Sequence, residues 1–162
     1  MGEQIGPVNP TTYSVSGKTL AEVIDNIGIE AADTKFAASH PKFALKDGKI
    51  VNASVVVKIT MKMPVWNPPS TVGPKTRAEW QRAMKVLRQH EDAHVKSIQA
   101  RWKGLSAKLN GQSPDDAEAL FQETVTKCQA DQDAMDPFTV DVDLSIEDDE
   151  IEEMEEKKKK GK

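Results

Sequence analysis

"LRQHEDAHVKS", residues 87–97, places His90 and His94 four positions apart, with Glu91 directly after the first. Around it the chain carries apolar side chains at Trp80, Met84, Leu87, Val95, Ile98, Trp102 and Leu105. Apart from one gap, they recur at the spacing of one helix face, which predicts a long helix from about Lys75 to Leu109. The gap falls at position 91, where the periodicity asks for an apolar residue and the chain has Glu91 instead. At about 100° per residue, Glu91 lies near the middle of the apolar face, with His94 and then His90 on its flank. Burying an unpaired carboxylate costs on the order of several kcal/mol, so something must compensate it.

A divalent metal ion or its water is one such partner. Residues four apart share a helix face, so both imidazoles reach one ion. Zinc takes neutral imidazole nitrogens and keeps a position open for water in catalytic sites. In an H-E-x-x-H arrangement the glutamate is the general base, taking a proton from the attacking water rather than binding the metal. The alternative is a charged helix with two surface histidines and a Glu91 paired with Lys85, Arg88 or Lys96.

The rest of the chain supplies the frame. Residues 1–10 read as a flexible lead. "TTYSVSG" alternates as a short strand, and "KTLAEVIDNIG" has helical spacing at Leu20, Val23, Ile24 and Ile27, closed by Gly28. "KDGK" is a tight turn before "IVNASVVVKITMKMPVW", a β-branched strand; only by analogy with zincins would its "SVVVKITMKM" part run beside the motif helix and offer an edge to an extended peptide. Ser113, Pro114, Asp115 and Asp116 start a second long helix, which runs to about Met135 with Ala117, Leu120, Phe121, Thr124, Val125 and Cys128 inward. "FTVDVDLSI" alternates as a half-buried strand, and residues 147–162 read as a charged, disordered tail. The expected domain spans residues 11–146, an α+β fold with two long helices.

The 162 residues carry a net charge of −4. From Asp141 onward there are ten acidic and five basic residues, so the remainder is near +1 and predicts no nucleic-acid binding. The acidic tail would suit a basic partner. One cysteine, Cys128, excludes an internal disulfide. No apolar run predicts a membrane span. "MGEQIGPVNP" has neither a basic start nor an apolar stretch, so the expected compartment is the cytoplasm, barring removal of a secretory signal.

Three stretches, "YSVSGKTLAEV", "VVVKITMKMPVWNPP" and "AEWQRAMKVLRQHEDAHVKSIQ", resemble the bacterial DUF922 family of predicted secreted zinc-dependent proteases. The resemblance covers about residues 12–141. It implies a small zincin-like domain, with a β-sheet packed on two long helices, the first carrying H-E-x-x-H. It also implies zinc and a peptide or protein substrate. The chain departs from the family in showing no secretion signal and no paired cysteines. Near the C-terminus the family reads D-x-x-T-x-H-G; here "DPFTVDV" keeps Asp136 and Thr139 and has Asp141 in the histidine's place.

Two histidines leave a third ligand to be found. Ser97 and Ala100 occupy the positions where a longer zinc motif has its glycine and third histidine. His40, Glu118, Glu123 and Asp131 are candidates from the sequence, and Asp141 has the resemblance behind it. The expected site is therefore His90, His94 and Asp141 on zinc, with Glu91 as catalytic base. A carboxylate in place of the imidazole would make the metal a weaker Lewis acid. A non-catalytic protein that retains the fold is the rival reading. Trp66, Trp80 and Trp102 would line a groove or fill the core, Tyr13 would stabilise an oxyanion or pack, and Cys128 reads as a small buried hydrophobe.

Overall fold

The β-branched run beginning at Ile50 forms the strand on which the sheet is organised. In order along the chain the elements are β1 (Glu3–Val15), α1 (Leu20–Ile27), β2 (Asp33–Ala38), β3 (Lys42–Lys46), β4 (Lys49–Trp66), α2 (Pro74–Trp102), α3 (Leu105–Leu109), α4 (Pro114–Ala134) and α5 (Ser145–Lys160). The structure is a computed structural model and describes residues 2–27 and 31–161. Gly28, expected to close α1, lies outside the described residues. The fold is α+β, with a four-stranded sheet in the order β1-β4-β2 and β3 also paired to β4. β4 therefore lies between neighbours and does not offer the free edge expected of it.

The Asp-Gly turn explains the β3–β4 hairpin. Asp47 and Gly48 have φ of 53° and 74°, the mirror-image turn that Asp-Gly favours, and Lys46 pairs with Lys49. Further on, Ala44 faces Val51 but Lys42 faces Ser54, so β4 carries an extra residue there. Asn52, at φ 55°, takes up that bulge. One extra residue reverses the parity of a strand. The buried face accordingly moves from Ile50 to Ala53, Val55, Val57, Ile59 and Met61.

Along α2 the buried side chains are Thr76, Glu79, Trp80, Ala83, Leu87, Glu91, His94, Val95, Ile98 and Trp102. The expected single helix to Leu109 is interrupted after Trp102. Gly104 adopts φ 83°, and α3 starts afresh beyond it. On α4 the cap is as its sequence predicts. The Ser113 hydroxyl accepts from the Asp116 amide at 3.2 Å, with Pro114 opening the helix.

Three terminal expectations are corrected. The lead over residues 1–10 is mostly strand, since β1 starts at Glu3. The alternating residues 138–143 form no strand. Their backbone is engaged by α2 side chains instead: Arg82 donates to the Asp141 carbonyl, and Glu79 accepts from the Asp143 amide at 2.7 Å. Of the alternating apolar residues Val142 packs on the nearby core, whereas Phe138 and Leu144 are exposed. The charged tail is helical from Ser145 and is anchored by two buried carboxylates. Glu147 accepts from the Leu20 and Ala21 amides at 2.6 and 3.1 Å. Glu150 accepts from Lys75 and Thr76 at 2.8 and 3.0 Å. Each carboxylate thus satisfies amides that the first turn of a helix leaves open. Gly73 makes room, because a Cβ there would collide with the Glu150 carboxyl.

The chain divides into two compact units. The first comprises Met1–Pro10, Thr34–Met61 and Glu91–Phe138; the second comprises Thr11–Asp33, Lys62–His90 and Thr139–Lys162. In the first, the inner face of β4 is buried together with Ile98, Trp102, Leu109 and Phe121. In the second, Val15, Leu20, Val23, Trp66, Val72 and Trp80 form the core.

Candidate metal centre

The motif lies within α2 and needs no loop to assemble it. A rise of one turn per 3.6 residues sets His90 and His94 over each other with Glu91 beside them. One potential ligand atom from each of the three lies within 4.8 Å of the other two. Glu91 and His94 are each only 3% exposed, and His90 is partly exposed. The carboxylate that interrupts the apolar stripe is therefore buried, as the periodicity predicts.

Each buried member has a partner that the sequence does not announce. The Thr34 hydroxyl, on β2, donates to Glu91 Oε2 at 2.5 Å. It engages one of the two carboxylate oxygens, and an ionised carboxylate can accept further donors. His94 Nδ1 lies 2.8 Å from Gln132 Oε1 on α4. His94 Nε2 lies 3.4 Å from Asp136 Oδ1, just past the end of that helix. Two imidazoles and a carboxylate in a largely buried cluster are the donor chemistry that a divalent transition-metal cation takes. The residues fit such an ion.

The other sequence candidates have different neighbours. His40 Nδ1 is 3.3 Å from Glu118 and its ring stacks on Phe121. Glu118 is held below the usual carboxylate range chiefly by its hydrogen bond with Gln122, with His40 adding to it against the opposing effect of desolvation. Glu123 pairs with Lys127 at 2.6 Å, and Asp131 forms a two-point pair with Arg101 at 2.7 and 2.9 Å. Hydrogen bonds from these bases lower the pKa of both acids. Asp141 is exposed on the coil before α5, where its carbonyl accepts from Arg82. The cluster of His90, Glu91 and His94 does not include it.

The aromatic residues pack. Trp66 donates to the Gly17 carbonyl at 3.0 Å and meets Trp80 edge-on, while Trp102 contacts Phe36 and Phe121. Tyr13 donates to the Ala31 carbonyl at 2.5 Å with Lys62 over its ring. Cys128 is fully buried, and burial pushes its thiol up to about 11, far from a nucleophile's range.

Thr34, Gln132 and Asp136 are the contacts that sequence reasoning missed. One signal was available. The α4 stripe through Ala117, Phe121, Thr124 and Cys128 continues to Gln132, a polar residue on a buried face just as Glu91 is on α2.

Residues 10–139 match the family described as "Bacterial protein of unknown function (DUF922)". The chain belongs to the DUF922 family. The match spans β1 from Pro10, the sheet, the motif helix and α4, so the resemblance read from the three sequence stretches holds. No curated protein and no solved structure matches this DUF922 chain. α5 lies beyond the matched residues, so the Glu147 and Glu150 caps are features outside the part shared with the family.

Proposed function

We propose that this DUF922 protein is a zinc-dependent peptidase of the zincin type, acting on peptide bonds in extended chains. The observation that carries the reading is Glu91, buried on the inner face of α2 between two histidines that share its helix. A carboxylate kept in that position against the apolar periodicity needs a chemical reason, and general-base catalysis supplies one. His90 and His94 would hold the ion. When bound, zinc polarises a substrate carbonyl and makes water a stronger acid. Glu91 takes the proton of the attacking water and delivers it to the departing amine. Thr34, bonded to one oxygen, fixes the carboxylate's orientation while the other oxygen handles the proton. Gln132 holds the His94 ring.

The test is digestion of a broad peptide library by the zinc-loaded protein, with Glu91→Gln as control. Cleavage should fall by about 10²-fold or more in the variant, the usual scale for losing a general base, while zinc content stays the same. Cleavage that survives Glu91→Gln would exclude this mechanism. Zinc retention with no glutamate-dependent cleavage would assign the domain to a non-catalytic metal-binding role.

A further inference from the structure

We infer that β3 of one copy of the chain pairs antiparallel with residues 139–143 of a second copy, which makes this strand edge a self-association surface. The inference stands apart from the metal site. It starts from apolar side chains that the fold leaves uncovered. All five residues of β3 are exposed, with Phe43 at 42% and Leu45 at 55%. Side chains two apart share a strand face, so Phe43 and Leu45 form one face and Lys42, Ala44 and Lys46 the other. Among the described residues β3 pairs with β4 alone. In a hairpin with a two-residue turn, Lys46 and Ala44 bond across to Lys49 and Val51. That leaves the backbone groups of Phe43 and Leu45 on the outer edge. Lys46 and Lys49 face each other, a like-charge pair that costs stability. Residues 42–49 hold three lysines and one aspartate. Lysines on an edge discourage most strands from adding to it, but they favour one that brings carboxylates.

Residues 138–144 have that composition. Phe138, Val140, Val142 and Leu144 alternate with Thr139, Asp141 and Asp143. The alternation predicts a strand, yet the segment is coil. Its backbone is nevertheless laid out as a strand's. The Asp141 carbonyl and the Asp143 amide, two residues apart, both turn to α2 side chains. Val140 and Val142 then present their backbone groups on the opposite edge, as in an extended chain. The Asp141 and Asp143 side chains are exposed. Asp143 accepts from Ser145, a neutral donor that leaves its charge in place. The Arg82 guanidinium is bonded to Glu79 and also lies in the field of both aspartates. One cation against three carboxylates leaves a surplus of negative charge.

Set antiparallel, the two open edges match. With Phe43 opposite Val142 and Leu45 opposite Val140, the open backbone groups exchange hydrogen bonds. The same register puts Lys42 opposite Asp143 and Ala44 opposite Asp141, with Asp141 diagonal to both Lys42 and Lys46. Residues opposite each other share a face, so apolar meets apolar and lysine meets aspartate. A slip of one residue sets Phe43 against Asp143 and Lys42 against Leu144, and both matches are lost. Each half belongs to one compact unit of its own copy, and the contact is between chains. A second copy is therefore the occupant that both the charge and the parity of β3 fit.

The test is sedimentation equilibrium of the full chain at low salt. The wild type should self-associate as its concentration rises, and added salt should weaken the association. Lys42→Glu combined with Lys46→Glu should lower the association constant by about 10-fold or more, and so should Asp141→Lys, because each sets like charges face to face. All three changes on one chain reverse both sides of the contact and should restore association. The register is read by mixing an Ala44→Cys copy with an Asp141→Cys copy under mild oxidation. An opposed pair between hydrogen-bonded pairs stands about 4.5 Å apart at Cα, within reach of a disulfide. The native Cys128 is buried, and every substituted side chain is exposed, so the fold is kept. The 44–141 cross-link should form, whereas Asp149→Cys on α5 should not cross-link to Ala44→Cys. A wild type that stays monomeric at every concentration would overturn the inference. Self-association indifferent to all three charge changes, with no 44–141 cross-link, would overturn it as well.

Discussion

Glu91 is the buried carboxylate on which the proposed chemistry rests, and its burial has a measurable consequence. Thr34 gives it a hydroxyl donor inside the first unit. Removing a partner from a buried charged group leaves that group's desolvation uncompensated. Thr34→Val should therefore destabilise the metal-free protein by about 1–3 kcal/mol in urea unfolding, and Thr34→Ser should restore most of the loss. Equal stability of Thr34→Val and wild type would mean that Glu91 does not depend on this hydroxyl. At this scale the sequence was legible where chemistry is local. His90, Glu91 and His94 are neighbours on one helix, so spacing alone brings them together. Thr34 and Asp136 were illegible because their contacts arise from tertiary packing of residues 57 and 42 positions from their partners.

Among the elements, α5 shows what composition hides. A count of charges sees a solvated tail; it does not see that Glu147 and Glu150, three apart, meet the open amides of α1 and α2. Glu150→Ala should cost about 1–2 kcal/mol, on the scale of losing a helix cap, measured by thermal or urea unfolding. Burial alone would raise the Glu150 pKa, but hydrogen bonds from Thr76 and Lys75 outweigh it and hold the pKa below the ordinary value. A carboxyl with a depressed folded pKa stabilises the protein above its unfolded pKa, about 4.3. That contribution disappears as pH falls through the folded value. Stability of the wild type should therefore fall more steeply below about pH 4.5 than that of Glu150→Gln, and parallel acid limbs would contradict the capping role. Residues 138–143 misled for a related reason. Their apolar alternation is not matched by burial, since Phe138 and Leu144 are exposed, and Arg82 and Glu79 take backbone bonds that a neighbouring strand would have used. β4, α2 and α4 were legible because long periodic runs carry their own signal, whereas the Asn52 bulge and the Gly104 break depend on single residues.

For the molecule as a whole, the α+β class follows from one long strand and two long helices, and the two-unit division does not follow from any composition shift. β1, β4 and α2 each contribute residues to both units, so no linker marks the boundary. His90, Glu91 and His94 on α2 form a group that could hold a metal ion. A ligand that binds only the folded chain raises its stability with concentration, so zinc should also raise the melting temperature and a chelator should reverse the gain. The most direct measurement is calorimetric titration of zinc into the chelator-stripped full chain. One equivalent should bind to the wild type and to Glu91→Gln, and that binding should be lost in both His90→Ala and His94→Ala. Binding that is unchanged when either histidine is removed, or no binding by the wild type, would contradict it.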